Sequence, residues 1–244
     1  MSVEETLARL VSINSVSSRP NREIISYARE RAEALGLRVK LLPYTDEGGV
    51  EKLNMLASAG PQDTEDNNVE LALVGHTDTV PFDPSWHDAL KLIGRDGKLY
   101  GRGACDTKGF IAAALTAIES IDCAKLRRPL ALVLTADEEV GCLGAKRLAD
   151  SRALTARYAI VGEPTSLQPM RAGKGYCLAQ VTVRGREAHS AYPSLGASAV
   201  FRAARLIRRV ERIAEELKTQ NLQEAFEPPY TTLNVGLVNG GTAK

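Results

Sequence analysis

A chain of 244 residues with 44% hydrophobic and 25% charged residues has the make-up of an ordinary globular protein, long enough for one large domain or two smaller ones. Its formal net charge of +1 exerts no general pull on polyanions, so nucleic acid is not an implied partner. Residues 1–20 carry no apolar leader core and no later run approaches the roughly 20 apolar residues of a membrane span, which excludes a membrane partner and makes the cytoplasm the expected location.

In chain order, the spacing predicts an amphipathic helix over 21–35 ended by Gly36, then a strand over 37–42 closed by Pro43. A further strand is expected over 53–57, between turn-rich loops at 46–49 and 60–68. Three continuous apolar runs of strand length follow, at 71–74, 130–134 and 158–161, and read as strands buried on both faces. A helical pattern over 108–121 separates the first two. Strands alternating with helices imply an α/β fold with a mostly parallel sheet flanked by helices, whose ligands gather at the carboxyl ends of the strands. Beyond residue 173 the pattern changes to a half-exposed strand at 175–184, a long helix at 198–217 and a strand at 231–238, which places a boundary near Lys174 between domains 1–174 and 175–244. The arginines of that helix are interleaved with Glu211, Glu215 and Glu216 and oppose an apolar stripe, so they form a solvated outer face rather than a basic patch. Cys105, Cys123, Cys142 and Cys177 contain no C-x-x-C pair, which argues against a disulfide framework and a zinc ribbon.

The chemistry collects where the apolar runs end. His76 and Asp78 follow the first, two residues apart, so both can point to one side of an extended chain, the histidine as a metal ligand and the carboxylate as the group that orients it. Taken alone, a strand-end histidine is more often a packed or surface residue. Asp106 lies in the glycine-rich stretch Gly101 to Gly109 just ahead of a helix, where it reads as an N-cap or as a carboxylate that reaches a metal. Asp137-Glu138-Glu139 follows the second run and Glu163 the third; side-by-side acids are costly unless something positive sits among them, although a solvated acidic turn is an equal reading of the triplet by itself. A cleft at these strand ends gathers His76, Asp106, Glu139 and Glu163, and one imidazole with three carboxylates suits zinc, with cobalt or manganese possible. No G-x-S-x-G elbow offers a serine nucleophile, and a Cys105 nucleophile served by His76 leaves Glu138, Glu139 and Glu163 without a role.

Together, His76 to Pro81, Gly101 to Gly109, Asp137-Glu138-Glu139 and Gly162-Glu163-Pro164-Thr165 resemble, in order and spacing, the aminoacylase-type dinuclear zinc metallohydrolases, which include acetylornithine deacetylase and succinyl-diaminopimelate desuccinylase. Leu53-Asn54-Met55-Leu56-Ala57, His76 to Asp83, Gly162 to Pro169, Arg171 and Lys174-Gly175 place the likeness nearest the acetylornithine-deacetylase group. The resemblance implies that His76 and Glu163 hold one metal, Glu139 the other, and Asp106 bridges them. Glu138 would be the general base and acid, Asp78 the residue that orients His76, and His189, in Ala188-His189-Ser190, a stabiliser of the oxyanion; without the resemblance His189 reads as a polar loop residue. The implied reaction is hydrolysis of N-acetyl-L-ornithine to ornithine and acetate in arginine biosynthesis, by a cytoplasmic homodimer that uses two zinc ions or substitute cobalt. Another acyl-amino-acid hydrolase, such as the desuccinylase or a dipeptidase, is the alternative within the class. The family continues past a segment like Gly240-Gly241 to a final metal-binding histidine. The expectation for these 244 residues is therefore half of an inserted α+β dimerisation or lid domain, a second metal shell of Glu139 and Asp106 alone, and at the limit an inactive remnant that only binds metal or dimerises. His87, beside Trp86, is the first substitute ligand to consider.

Overall fold

The computed structural model describes residues 1–61 and 68–242, and the chain forms two compact units, Met1–Gln168 and Pro169–Lys244. The first unit begins with helix α1 (Val3–Ser12), which starts on a capping box: the Ser2 hydroxyl accepts from the Glu5 amide at 3.1 Å and the Glu5 carboxylate accepts from the Ser2 amide at 2.8 Å. Helix α2 (Arg22–Ala34) matches the predicted helix and buries Ile24, Ile25, Ala28 and Ala32 along one stripe.

Strands β1 (Arg38–Thr45) and β2 (Glu51–Ala59) form a hairpin; β3 (Asn68–His76) follows, then a two-stranded ribbon of β4 (Ile93–Arg95) and β5 (Lys98–Tyr100), helix α3 (Lys108–Glu119), β6 (Leu130–Thr135), helix α4 (Leu143–Asp150) and β7 (Thr155–Val161). The main sheet has the order β1-β2-β6-β3-β7. β3 lies parallel to β6 and β7, while β2 is antiparallel to β1 and β6, so β2 alone runs against the other four strands. The sheet is thus mostly parallel, and the carboxyl ends of β3, β6 and β7 emerge at one edge.

β6 is buried throughout, and its alternation feeds both layers. Leu130, Leu132 and Leu134 join Leu10, Ile25, Met55, Ile111 and Leu115 in the core beneath α1, α2 and α3. Ala131 and Val133 join Leu56, Val69 and Ala72 on the opposite face, with Leu148 of α4 packed against them. These two apolar layers fix β6 in the middle of the sheet and hold its C-terminal end in one place.

Three local expectations differ from what forms. Pro43 does not close β1, which runs on to Thr45; β1 is an edge strand, and both backbone groups of Leu53, the residue opposite Pro43, bond the side-chain amide of Asn21 at 2.8 and 2.9 Å, so no donor is required of the proline. The run at 158–161 does form β7, yet Tyr158, Ile160 and Val161 are 56%, 51% and 59% exposed because β7 lies at the other edge of the sheet. An apolar β-branched run marks a strand but not its rank in the sheet. In the second unit, α5 (Ala199–Leu217) forms with Ser198 as its N-cap, as expected. Residues 175–184 and 231–238, by contrast, carry no strand: alternation suits a chain to a pleated surface, but a strand also needs a hydrogen-bonded neighbour, and these segments have none.

Candidate metal centre

His76 is the last residue of β3, paired with Thr135 at the end of β6. Its ring is 3% exposed, and Nδ1 lies 3.0 Å from the Asp78 carbonyl and 3.6 Å from the Asp78 carboxylate. A ring held through Nδ1 presents Nε2 to its surroundings, which is how ligating histidines are commonly oriented. Nε2 faces acids on every side that bears on it: Asp106 Oδ1 at 2.9 Å, Glu138 Oε2 at 3.9 Å and Glu163 Oε1 at 4.0 Å. Among the described residues, His76, Asp106 and Glu139 bring one donor atom each to within 4.8 Å of one another.

Each acid is delivered by a separate piece of backbone. Asp106 sits on the tight loop before α3; Gly103 there has φ +77°, a left-handed conformation that favours glycine, and the Lys108 amide returns to the Gly103 carbonyl at 2.9 Å. Thr107 Oγ1 donates to the His76 carbonyl at 3.1 Å, which ties that loop to the end of β3. Asp106 is therefore not the N-cap of α3: Thr107 holds that position, and the Asp106 carboxylate is turned to the imidazole. Glu138 and Glu139 follow β6, and their amides donate to Asp78 Oδ1 and Oδ2 at 3.1 and 3.2 Å. Glu163 follows β7, where the Gly162 amide donates to the Val74 carbonyl at 2.9 Å. A Cβ on Gly162 would lie 2.0 Å from Phe110 Cγ, so only glycine lets Glu163 come this close to α3.

The electrostatics describe acids short of positive charge. Burial and repulsion by Asp106 raise the Glu139 carboxyl above its ordinary range; burial raises Glu163 too, with Asp106, Glu138 and Glu139 adding to it against the pull of His76. Burial disfavours charge on His76, but Asp78, Asp106 and Glu138 outweigh it and lift the imidazole to about 9. Asp78 resists its own burial through bonds from His76, Ser17 and the Glu138 amide, which hold its carboxyl below the usual range. A convergent imidazole and carboxylate set of this kind fits a divalent metal, which would satisfy Nε2 and relieve the repulsion among the acids.

The structure does bring His76, Asp106, Glu138, Glu139 and Glu163 together, with Asp78 beneath them. His189 belongs to the second unit, where it is exposed and its Nδ1 accepts from the Ala191 amide at 3.1 Å. His87 is an exposed loop residue outside the cluster. Sequence reasoning missed Lys52. Its ammonium is buried on β2, 2.9 Å from Asp137 Oδ1, so the first acid of the triplet is paired with a lysine rather than turned toward the metal site. A lysine at the head of the mostly apolar run Leu53 to Ala57 was the available signal.

Comparison with known proteins agrees with this geometry. The family model described as Peptidase family M20/M25/M40 matches residues 72–233. Acetylornithine deacetylase from Myxococcus xanthus is 53% identical over 239 residues; the match takes in 98% of this chain but 62% of the relative, so the chain spans less than two thirds of its length. A tripeptidase from Staphylococcus aureus subsp. aureus Mu50 superposes with a TM-score of 0.59 at 25% identity, over 99% of this chain and 61% of that one. An M20 family metallo-carboxypeptidase from Sulfolobus solfataricus gives 0.52 at 25% identity, over 66% of this chain and 37% of that one. With more than half of its residues matched and its strand-end acids in place, the chain belongs to the Peptidase family M20/M25/M40.

Proposed function

We propose that the chain is the metal-binding portion of a cytoplasmic acetylornithine deacetylase, hydrolysing N-acetyl-L-ornithine to L-ornithine and acetate in arginine biosynthesis and working as a homodimer. The observation that carries this reading is the convergence of His76, Asp106 and Glu139 at the strand ends, in a chain 53% identical to a deacetylase of that name. In this reading His76 and Glu163 would hold one zinc ion and Glu139 the other, with Asp106 shared between them and cobalt able to substitute. Residues 1–174 form the catalytic domain and 175–244 belong to the dimerisation and lid domain.

The bound metal would supply a Lewis acid that acidifies water and polarises the amide carbonyl. The chain's own groups do the rest. Asp78 holds Nδ1 of His76, which keeps Nε2 free as a donor. Glu138, its carboxylate about one-third exposed and beside the ligand set, takes the proton from the attacking water and returns it to the leaving amine. In the homodimer of this reading, His189 would reach the neighbouring subunit's site and donate to the developing oxyanion there.

The reading is tested by offering the zinc- or cobalt-loaded protein N-acetyl-L-ornithine, N-succinyl-diaminopimelate and a dipeptide, with Glu138→Gln in parallel. The expected result is the highest kcat/KM on N-acetyl-L-ornithine, with Glu138→Gln keeping its metal and losing roughly 10²–10⁴-fold in rate. Preference for either other substrate would replace the assignment with the desuccinylase or a dipeptidase, and full activity in Glu138→Gln would remove that residue from the mechanism.

A further inference from the structure

The turn that carries Glu138 and Glu139 is gripped at two points by groups that lie outside the ligand set. From one side, Asp78 accepts both of its amides. From the other, the carboxylate of Asp137 is held by Lys52 Nζ at 2.9 Å on Oδ1 and by the Tyr44 hydroxyl at 2.8 Å on Oδ2. Asp137 stands at φ +58°, a left-handed conformation that aspartate tolerates better than most non-glycine residues, and the two bonds fix its side chain there.

The two grips are joined. Lys52 Nζ also donates to the carbonyls of Ser17 and of Arg19, the latter at 2.9 Å, and the hydroxyl of the same Ser17 donates to Asp78 Oδ2 at 2.8 Å. Ser17 is itself fixed by its amide, which donates to the Thr79 carbonyl at 3.1 Å. The path from Asp137 through Lys52, Ser17 and Asp78 to the amides of Glu138 and Glu139 therefore closes into a ring. Its side chains are hidden from solvent, with Lys52 and Asp137 1% exposed, Asp78 2% and Ser17 8%. A buried ion pair is by itself weak evidence of stabilisation, since an apolar pair often serves a core as well. This pair ends on the residue adjoining Glu138, and its lysine binds the backbone of the residue that supports Asp78. That placement suits a device that sets the turn's position.

We propose that Lys52, Asp137 and Ser17 are positioning residues, whose closed ring with Asp78 fixes the Glu138–Glu139 turn relative to His76 and so sets the affinity of the site for a divalent cation. The inference rests on the metal reading given above.

Zinc affinity, measured by competition with a chelating indicator on the 244-residue chain, tests it. The double variant Lys52→Met/Asp137→Asn removes both charges of the pair together and keeps a residue tolerant of positive φ at 137; Asp46, 4.0 Å from Lys52 Nζ, keeps some contact with solvent, at 17% exposure. The variant protein should bind zinc 10–100-fold more weakly, the scale of lost support around a metal ligand, while still unfolding cooperatively. Ser17→Ala, which leaves the ion pair in place, should also weaken binding, and Ser17→Thr, which restores a hydroxyl, should recover it. Ile25→Val, a core change away from the ring, should leave the affinity unchanged. If the double variant does not fold, the Ser17 pair decides alone. Folded variants that bind zinc as tightly as the parent overturn this inference and leave the metal site standing; a parent chain that binds no zinc overturns the metal reading and this inference together.

Discussion

Replacing Gly162 by alanine adds one methyl group at the point where Glu163 leaves the sheet. The new Cβ would stand 2.0 Å from Phe110 Cγ and 2.3 Å from Cδ1, against the 3.5–4.0 Å of an ordinary carbon contact, so ring and backbone must separate by about 1.5 Å. Phe110 is on the first turn of α3, directly after the loop that presents Asp106, and Gly162 is bonded through its amide to Val74 of β3. The strain therefore falls between the segments that carry Asp106 and Glu163. Overpacking of this kind costs about 1–3 kcal/mol, which in a chain of this size lowers Tm by roughly 2–4 °C per kcal/mol. The expected result for Gly162→Ala is a Tm lower by several degrees in calorimetry and weaker zinc binding by indicator competition. Phe110→Leu combined with Gly162→Ala should be less harmful than the sum of the two single changes, because the smaller side chain makes room for the methyl group. Additive losses, or a Gly162→Ala chain with the parent's Tm and zinc affinity, would refute the claim that this contact sets the position of Glu163.

Burial pushes the Lys108 ammonium down to about 8 from its ordinary 10.5. Between about 8 and 10.5 the unfolded chain binds the proton that the native chain has lost, so stability should rise with pH across that window; Lys108→Met should abolish the rise in denaturant midpoints, and a slope unchanged by the substitution would assign it to another group. Asn54 donates to the Gly144 carbonyl at 2.8 Å and accepts from the Ala136 amide at 3.1 Å, closing the loop that holds the acid triplet, so Asn54→Ala should cost about 1–3 kcal/mol in chemical denaturation by removing two buried side-chain bonds to the backbone. A loss well under that range would mean that the loop closes without it.

Where apolar periodicity was strong, the sequence showed the fold. α2, α3 and β6 could be read because Ile24, Ile25 and Ala28, then Ile111 and Leu115, then Leu130 to Leu134 each follow the spacing of the surface they bury. The gathering of these side chains could be read for a related reason: β3, β6 and β7 lead into His76, Glu138-Glu139 and Glu163, and a parallel arrangement brings like ends together. α1 was equally legible from Ser2 and Glu5, the spacing of a capping box at the start of a helix. The edge position of β7 was not legible, since strand order depends on which strands pair and not on the composition of any one of them. Nor could the Lys52–Asp137 pair be foreseen. Lys52 and Asp137 are far apart in sequence, and only the register of β2 on β6 brings one strand's lysine to the other strand's terminal turn. Side-by-side acids call for positive charge, and for Asp137 the buried Lys52 supplies it, while Glu138 and Glu139 stay on the side of the turn that faces His76 and Asp106.

The most direct test of the account is a crystal of the protein soaked in zinc, with anomalous diffraction recorded on both sides of the zinc edge. A peak is expected about 2.0–2.2 Å from His76 Nε2 and from carboxylate oxygens of Asp106 and Glu163, with Glu139 directed to the same cluster. A map with no peak at these residues, or with the strongest peak at ligands elsewhere in the chain, would contradict it.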